Sequence, residues 1–157
     1  MIEKGNLNSL HLFGICVFSF LSIYEFTSLI EYLSEQVLFI NIPNSISILW
    51  LPEAIGLTTY ILLLVWLVKK IRKQELIYSK RLLATSIFIF LGLILFRFLY
   101  SFYGTGLLFE SFPEAFDAFH QLREENQNLQ RITSFVPTLK YVILATLLLF
   151  NKKLFHT

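Results

Sequence analysis

The sequence predicts an all-α integral membrane protein, a four-transmembrane-helix bundle with both termini cytoplasmic and an amphipathic outer helix between spans 3 and 4. Three observations lead there. Four apolar stretches fill most of the 157 residues. Hydrophobic residues make up 55% of the chain and charged residues 15%, where soluble domains carry about 25% charged residues. The lysines and arginines gather on one side of the apolar stretches, as they do in membrane proteins oriented by the positive-inside rule.

The first span covers about residues 10–33. Lys4 is the only cation before it, and Ser22-Ile23-Tyr24 offers no small-x-small cleavage site. It therefore reads as a retained helix rather than a removed signal peptide. Asn41, Pro43 and Asn44 supply the turn to a second span at about residues 46–68. The third span, residues 82–103, stops before Gly104 and Gly106. The fourth, residues 132–150, contains Pro137 near its start. Each is long enough to cross a hydrocarbon core about 30 Å thick at a rise of 1.5 Å per residue. The four spans leave no room for a separate soluble domain, so residues 1–157 read as a single membrane domain.

Between spans 3 and 4 lies the one long connection. Ser111-Phe112-Pro113-Glu114 combines an N-cap serine, a first-turn proline and a capping-box glutamate. Phe112, Phe116 and Phe119 then recur at helical spacing among acids and amides. This pattern predicts an amphipathic helix over about 111–130, lying on the membrane or folded over the outer mouth of the bundle. Those three phenylalanines form a candidate lid or docking surface; the plainer alternative is a surface connector.

Orientation follows from charge. Lys69, Lys70, Arg72, Lys73, Lys80 and Arg81 occupy the hinge between spans 2 and 3, and Lys152 and Lys153 follow span 4. The other side has only Arg123 and Arg131, among Glu110, Glu114, Asp117, Glu124 and Glu125. Both termini and the hinge are thus expected in the cytoplasm, with the bacterial cytoplasmic (inner) membrane as the expected location. The same hinge can attract anionic headgroups, although topology is its simpler role.

Each span carries an ionisable residue at a similar distance from its outer end: Glu25, Glu53, Arg97 and Lys140. Glu25 lies eight residues inside Leu33, Glu53 seven inside Ile46, Arg97 six inside Tyr103 and Lys140 eight inside Ile132. At the helical rise these offsets amount to about 9 to 12 Å. An unpaired charge at mid-membrane costs about 2.5 to 3.5 kcal/mol on the insertion scale, so two acids and two bases at one depth are expected to pair. Pairing also supplies the cohesion that the hydrophobic effect cannot provide between helices in lipid. Gly56 and Tyr60 share the Glu53 face, Ser22 and Ser28 flank Glu25, and Ser86 and Ser101 align with Arg97. One reading of this layer is an ion network that sets helix neighbours. The other is a small aqueous cavity for an ion, a proton or a polar headgroup. Lys140 has the further option of snorkelling to the interface. Glu31 and Glu35 sit at the outer boundary, where they are expected in water. Pro52 reads as a proline opening a helix rather than as a break inside one.

Missing residues exclude several classes. Asp117 is the only aspartate and lies in the outer loop, which rules out a membrane protease built on two embedded aspartates. Cys16 stands alone, so neither an internal disulfide nor a paired-cysteine oxidase is available. His11, His120 and His156 lie at a boundary, in the loop and in the tail, and cannot meet on one haem or metal ion within a monomer. No phosphate-binding glycine loop and no Gly-x-Ser-x-Gly is present. Small multidrug exporters share four spans and an acid in the first, but the long outer loop departs from their compact plan.

The expected role is a non-enzymatic accessory or structural subunit of a membrane complex. Its expected partners are the lipid bilayer and either further copies of itself or other membrane subunits, with no nucleic acid and no cofactor. The alternative is a small transporter or oligomeric channel whose path passes Glu53 and Arg97. A lipid-modifying enzyme using a glutamate base is a third reading, without a nucleophile or metal set to support it.

Overall fold

A computed structural model describes residues 3–72 and 80–150 of the chain. Lys73, Lys152 and Lys153, on which the orientation argument draws, lie outside the described residues, as does His156. Among the described residues every regular element is helical and no strand occurs. In order these are α1 (Glu3–Asn41), a 3-10 turn (Ile46–Leu49), α2 (Leu51–Arg72), α3 (Lys80–Leu99), a π turn (Tyr100–Gly104), α4 (Thr105–Ser111), α5 (Pro113–Glu125), α6 (Gln127–Thr133) and α7 (Val136–Phe150). Among the described residues three stretches are long and apolar enough to cross a membrane: Phe13–Asn41, Leu51–Lys70 and Arg81–Ser111.

The element boundaries differ from the sequence reading in four instructive places. First, α1 does not end near residue 33 but continues to Asn41, giving 39 residues and a length of about 58 Å. The polar run Ser34-Glu35-Gln36 interrupts hydropathy, yet Glu and Gln are good helix formers and leave the backbone undisturbed. The helix stops where Asn41 donates its Nδ2 to the Val37 carbonyl at 2.7 Å, with Pro43 just beyond.

Second, Ile46–Leu49 forms a 3-10 turn whose cap, Ser45, accepts a hydrogen bond from the Ser47 N–H at 3.3 Å. The helix proper starts only at Leu51, so Pro52 sits in its first turn, where its missing N–H is no loss. Third, the helix passes straight through Gly104, which adopts ordinary helical angles (φ −68°, ψ −41°), and runs on to Ser111. A glycine ends a helix by adopting the left-handed region, and Gly104 does not.

Fourth, the outer helix is two helices, α5 and α6, divided at Asn126 (φ −115°, ψ 37°). Pro113 opens α5, but the N-cap is Phe112 and makes no side-chain cap bond. Ser111 instead donates to the Leu107 carbonyl at 2.7 Å, closing α4, so the expected capping box does not form. Ile132 belongs to α6, and the described part of α7 begins at Val136, with Pro137 in its first turn. Its 15 described residues span about 22 Å.

α1 is the axis of the fold, with α2 and α3 both packed along it. Contacts between α1 and α2 run Phe39 to Ile48 and Leu49, then Glu31 to Gly56, the order of antiparallel neighbours. Those with α3 and its extension run Gly14 to Leu83, Phe18 to Phe90, Glu25 to Arg97, Tyr32 to Tyr100 and Phe39 to Phe109, the order of parallel neighbours. α3 therefore runs the same way as α1, as alternating crossings require. α7 packs on α2. The large apolar side chains of α3, such as Phe88, Leu95 and Phe98, stay exposed, the pattern of a helix whose outer side meets lipid rather than water.

A compact apolar cluster closes the end of the bundle where α5 folds back. Phe39, Ile48, Leu49 and Phe119 are buried there, with Leu38, Phe109 and Leu122 packed around them. Phe119 is the α5 residue buried in the cluster, with Ala115 and Leu122 of the same helix packed against it.

Candidate functional site

Seven polar residues of α1 fall into two stripes at helical spacing. Tyr24, Thr27 and Glu31 make one, facing α2 and α7; Glu25, Ser28, Tyr32 and Gln36 make the other, along α3 and α4. Each stripe holds one acid that meets a base on another helix.

On the first, Lys140 Nζ of α7 lies 2.8 Å from Glu31 Oε1 and donates to Thr27 Oγ1 at 3.2 Å. The ammonium also stands 5.2 Å from the Tyr24 ring centroid and 5.8 Å from that of Tyr60. Tyr60 of α2 donates its hydroxyl to the Lys140 carbonyl at 3.1 Å, and Tyr24 stacks on Tyr141 at 5.1 Å. Lys140 is 1% exposed, so it does not snorkel; its charge is consumed inside the bundle. Gly56 makes room for this arrangement, because the Glu31 side chain occupies the space that a Cβ at position 56 would take. Thus Glu31 is not a solvated boundary residue. The extension of α1 to Asn41 carries it deeper into the fold, and α7 covers it.

On the second stripe, Arg97 Nη1 of α3 lies 2.9 Å from Glu25 Oε2. This pair is more open, with the Arg97 side chain 42% and the Glu25 side chain 13% exposed. Farther along, Tyr32 and Thr105 join hydroxyl to hydroxyl, and Tyr100 donates to Gln36 Oε1 at 2.7 Å. A groove of about 490 Å³ opens on the flank beside Arg97, lined by Ser28, Tyr32, Ile94, Phe98 and Ser101 as well.

Of the four expected layer residues, the structure brings Glu25 to Arg97 and places Lys140 on Glu31. It does not join Glu53 to either base. The reason is the late start of α2: Glu53 occupies its first turn, not a position seven residues inside a helix. There the free N–H groups of the helix end favour a carboxylate. Glu53 lies within electrostatic reach of Glu31, Glu35 and Arg123, and its Oε2 meets no hydrogen-bond donor among the described residues. α3 packs along α1 and not along α2, which keeps Glu53 and Arg97 apart.

The three phenylalanines of the outer helix have separate fates. Phe119 is buried in the apolar cluster, with its ring 5.7 Å from Phe39. Phe116 stands 4.7 Å from Phe109 yet, like Phe112, is exposed. Beneath α5 lies a cavity of about 170 Å³ whose lining includes Glu35 and Arg123.

Sequence reasoning missed Glu31, Thr27 and Glu35. The signal was present: Thr27 and Glu31 stand four residues apart, three and seven after Tyr24, and so share a face whether or not hydropathy ends the span. Among the described residues no group of three His, Cys, Asp or Glu is placed to hold a metal ion. Comparison with known protein families, with curated proteins and with solved structures finds no match.

Proposed function

We propose that this chain is a non-enzymatic accessory or structural subunit of a membrane assembly. In this reading it crosses a bacterial cytoplasmic membrane four times, with α7 as the fourth crossing, both ends inside and α5 outside. The observation that carries the assembly is the Arg97 groove. An ionised side chain left 42% exposed on the flank of a helix that crosses lipid is costly, and a further helix across the groove would shield it. A second copy of the chain or another membrane subunit can provide that helix.

Lys140 supports a structural rather than a conducting role. It fills the seam between α1, α2 and α7 together with the buried Thr27 and Tyr60, where a conducting path would need water. Purification from native membranes in mild detergent, followed by native mass spectrometry, tests the proposal. A defined complex is expected; a monomer that carries no other chain would overturn it.

The reading as a small transporter or oligomeric channel draws on Glu53, whose enclosed Oε2 meets no donor among the described residues. Proton and cation flux in liposomes, comparing the parent with Glu53→Gln, separates the two. Equal flux from both proteins removes the transporter, and a loss confined to the variant favours it.

A further inference from the structure

The cavity beneath α5 contains an acid and a base that do not touch. Glu35 of α1 and Arg123 of α5 both line it, and Arg123 acts on Glu35 through space without forming an ion pair. In a low-dielectric setting opposite charges attract strongly, so two that face one small space and stay apart leave room for something between them. The space is about 170 Å³, room for roughly five or six waters at about 30 Å³ each and more than a single bridging water needs.

The neutral polar groups nearby are already engaged: Tyr32 with Thr105, and Gln36 with Tyr100. That leaves the two charges as the recognition elements. Their arrangement is polar in the directional sense. Glu35 is partly buried at the inner wall, with the carboxylate of Glu53 within electrostatic reach, while Arg123 is exposed at the mouth. Arg123 is held there over the Phe119 ring at 5.4 Å, beside the Gln130 amide. Beside Gln36, Thr105 and Leu108 the remaining wall carries four aromatic residues, Tyr32, Phe39, Phe109 and Phe119, with the Phe39 ring 5.5 Å from Phe109. Aromatic faces beside a carboxylate are the ordinary means of holding an organic ammonium group, and a guanidinium at a rim the ordinary means of holding an oxyanion.

We propose that this cavity binds a zwitterion, its ammonium inward against Glu35 and the aromatic wall and its oxyanion outward on Arg123. A phosphoethanolamine group has this chemistry, whether as the headgroup of a phospholipid or as a free small molecule. The cavity lies at the end of the apolar stretch of α1, beside Thr105 past the π turn, where headgroups reside in the four-crossing arrangement.

Native mass spectrometry of the detergent-purified full chain tests this, titrating phosphatidylethanolamine and phosphatidylglycerol of the same acyl chains. The parent is expected to bind phosphatidylethanolamine about tenfold more tightly, a difference of about 1.4 kcal/mol. Glu35→Gln erases that preference, and Arg123→Gln weakens both lipids. Because Arg123 is exposed, its variant keeps the test open should Glu35→Gln fail to fold. Soluble glycerophosphoethanolamine identifies the source: competition with the lipid assigns a free zwitterion, and no competition assigns the headgroup in its membrane. Equal binding of the two lipids by the parent, an intact preference in Glu35→Gln, or unchanged affinity in Arg123→Gln would overturn the proposal.

Discussion

Glu31 and Lys140 form the most deeply enclosed ion pair among the described residues, 2.8 Å long with its lysine 1% exposed. It joins the longest helix, α1, to α7, which otherwise packs mainly on α2. In lipid such a junction does what apolar burial does in water: it decides which helices are neighbours. The Glu25–Arg97 pair fastens α3 to the other side of α1, more loosely.

Gly56 and Glu31 are predicted to be coupled. Gly56→Ala places a methyl group where the Glu31 side chain lies, which forces the carboxylate off Lys140. The expected cost is about 1 to 3 kcal/mol, typical of overpacking. In a Glu31→Ala background the same change should cost less than about 0.5 kcal/mol, since the space is then empty. Unfolding of the four proteins in detergent by denaturant titration checks this, and equal costs in the two backgrounds would refute it.

Arg97 should matter less for stability than Lys140. Its side chain is 42% exposed, so water entering the uncovered groove of the detergent-solubilised chain screens the pair with Glu25. A double-mutant cycle with Glu25→Gln and Arg97→Gln is expected to return a coupling of no more than about 1 kcal/mol. A larger value would mean that the groove is closed in the purified protein.

Phe119→Ala removes the α5 side chain from the apolar cluster and is expected to cost about 3 to 5 kcal/mol locally. Hydrogen exchange should then quicken across Pro113–Glu125 while α1 and α2 remain protected. Phe112→Ala, at an exposed position, should leave exchange in α5 unchanged. Equal effects from the two substitutions would contradict the placement of Phe119.

Orientation can be read by labelling. In a Cys16→Ala background, a cysteine at Asp117 should react with an impermeant maleimide added to intact cells, and a cysteine at Lys69 should react only after lysis. The reverse pattern would invert the topology.

Much of the fold was legible because membrane helices announce themselves by length and apolarity, as α1, α2 and α3 do. Boundaries were less legible, since hydropathy and helix propensity separate at polar formers such as Glu35 and Gln36. That single ambiguity displaced the site. With α1 ended near residue 33, Glu31 looked like a surface residue, and the acids left for Lys140 were Glu25 and Glu53. The start of α2 was hidden likewise, because Ile46–Leu49 is apolar yet turns as a 3-10 segment. Glu35 and Arg123 lie far apart in sequence, and only the fold of α5 over α1 puts them around one cavity.

A double-mutant cycle on Glu31→Gln and Lys140→Met, read as unfolding free energy in detergent, tests most directly whether charge holds these helices together. Lys140→Met alone leaves a half-enclosed carboxylate uncompensated and should cost about 3 to 5 kcal/mol. The double variant should recover part of that, giving a coupling of about 1 to 3 kcal/mol. Additive losses, with no coupling between positions 31 and 140, would contradict the clamp.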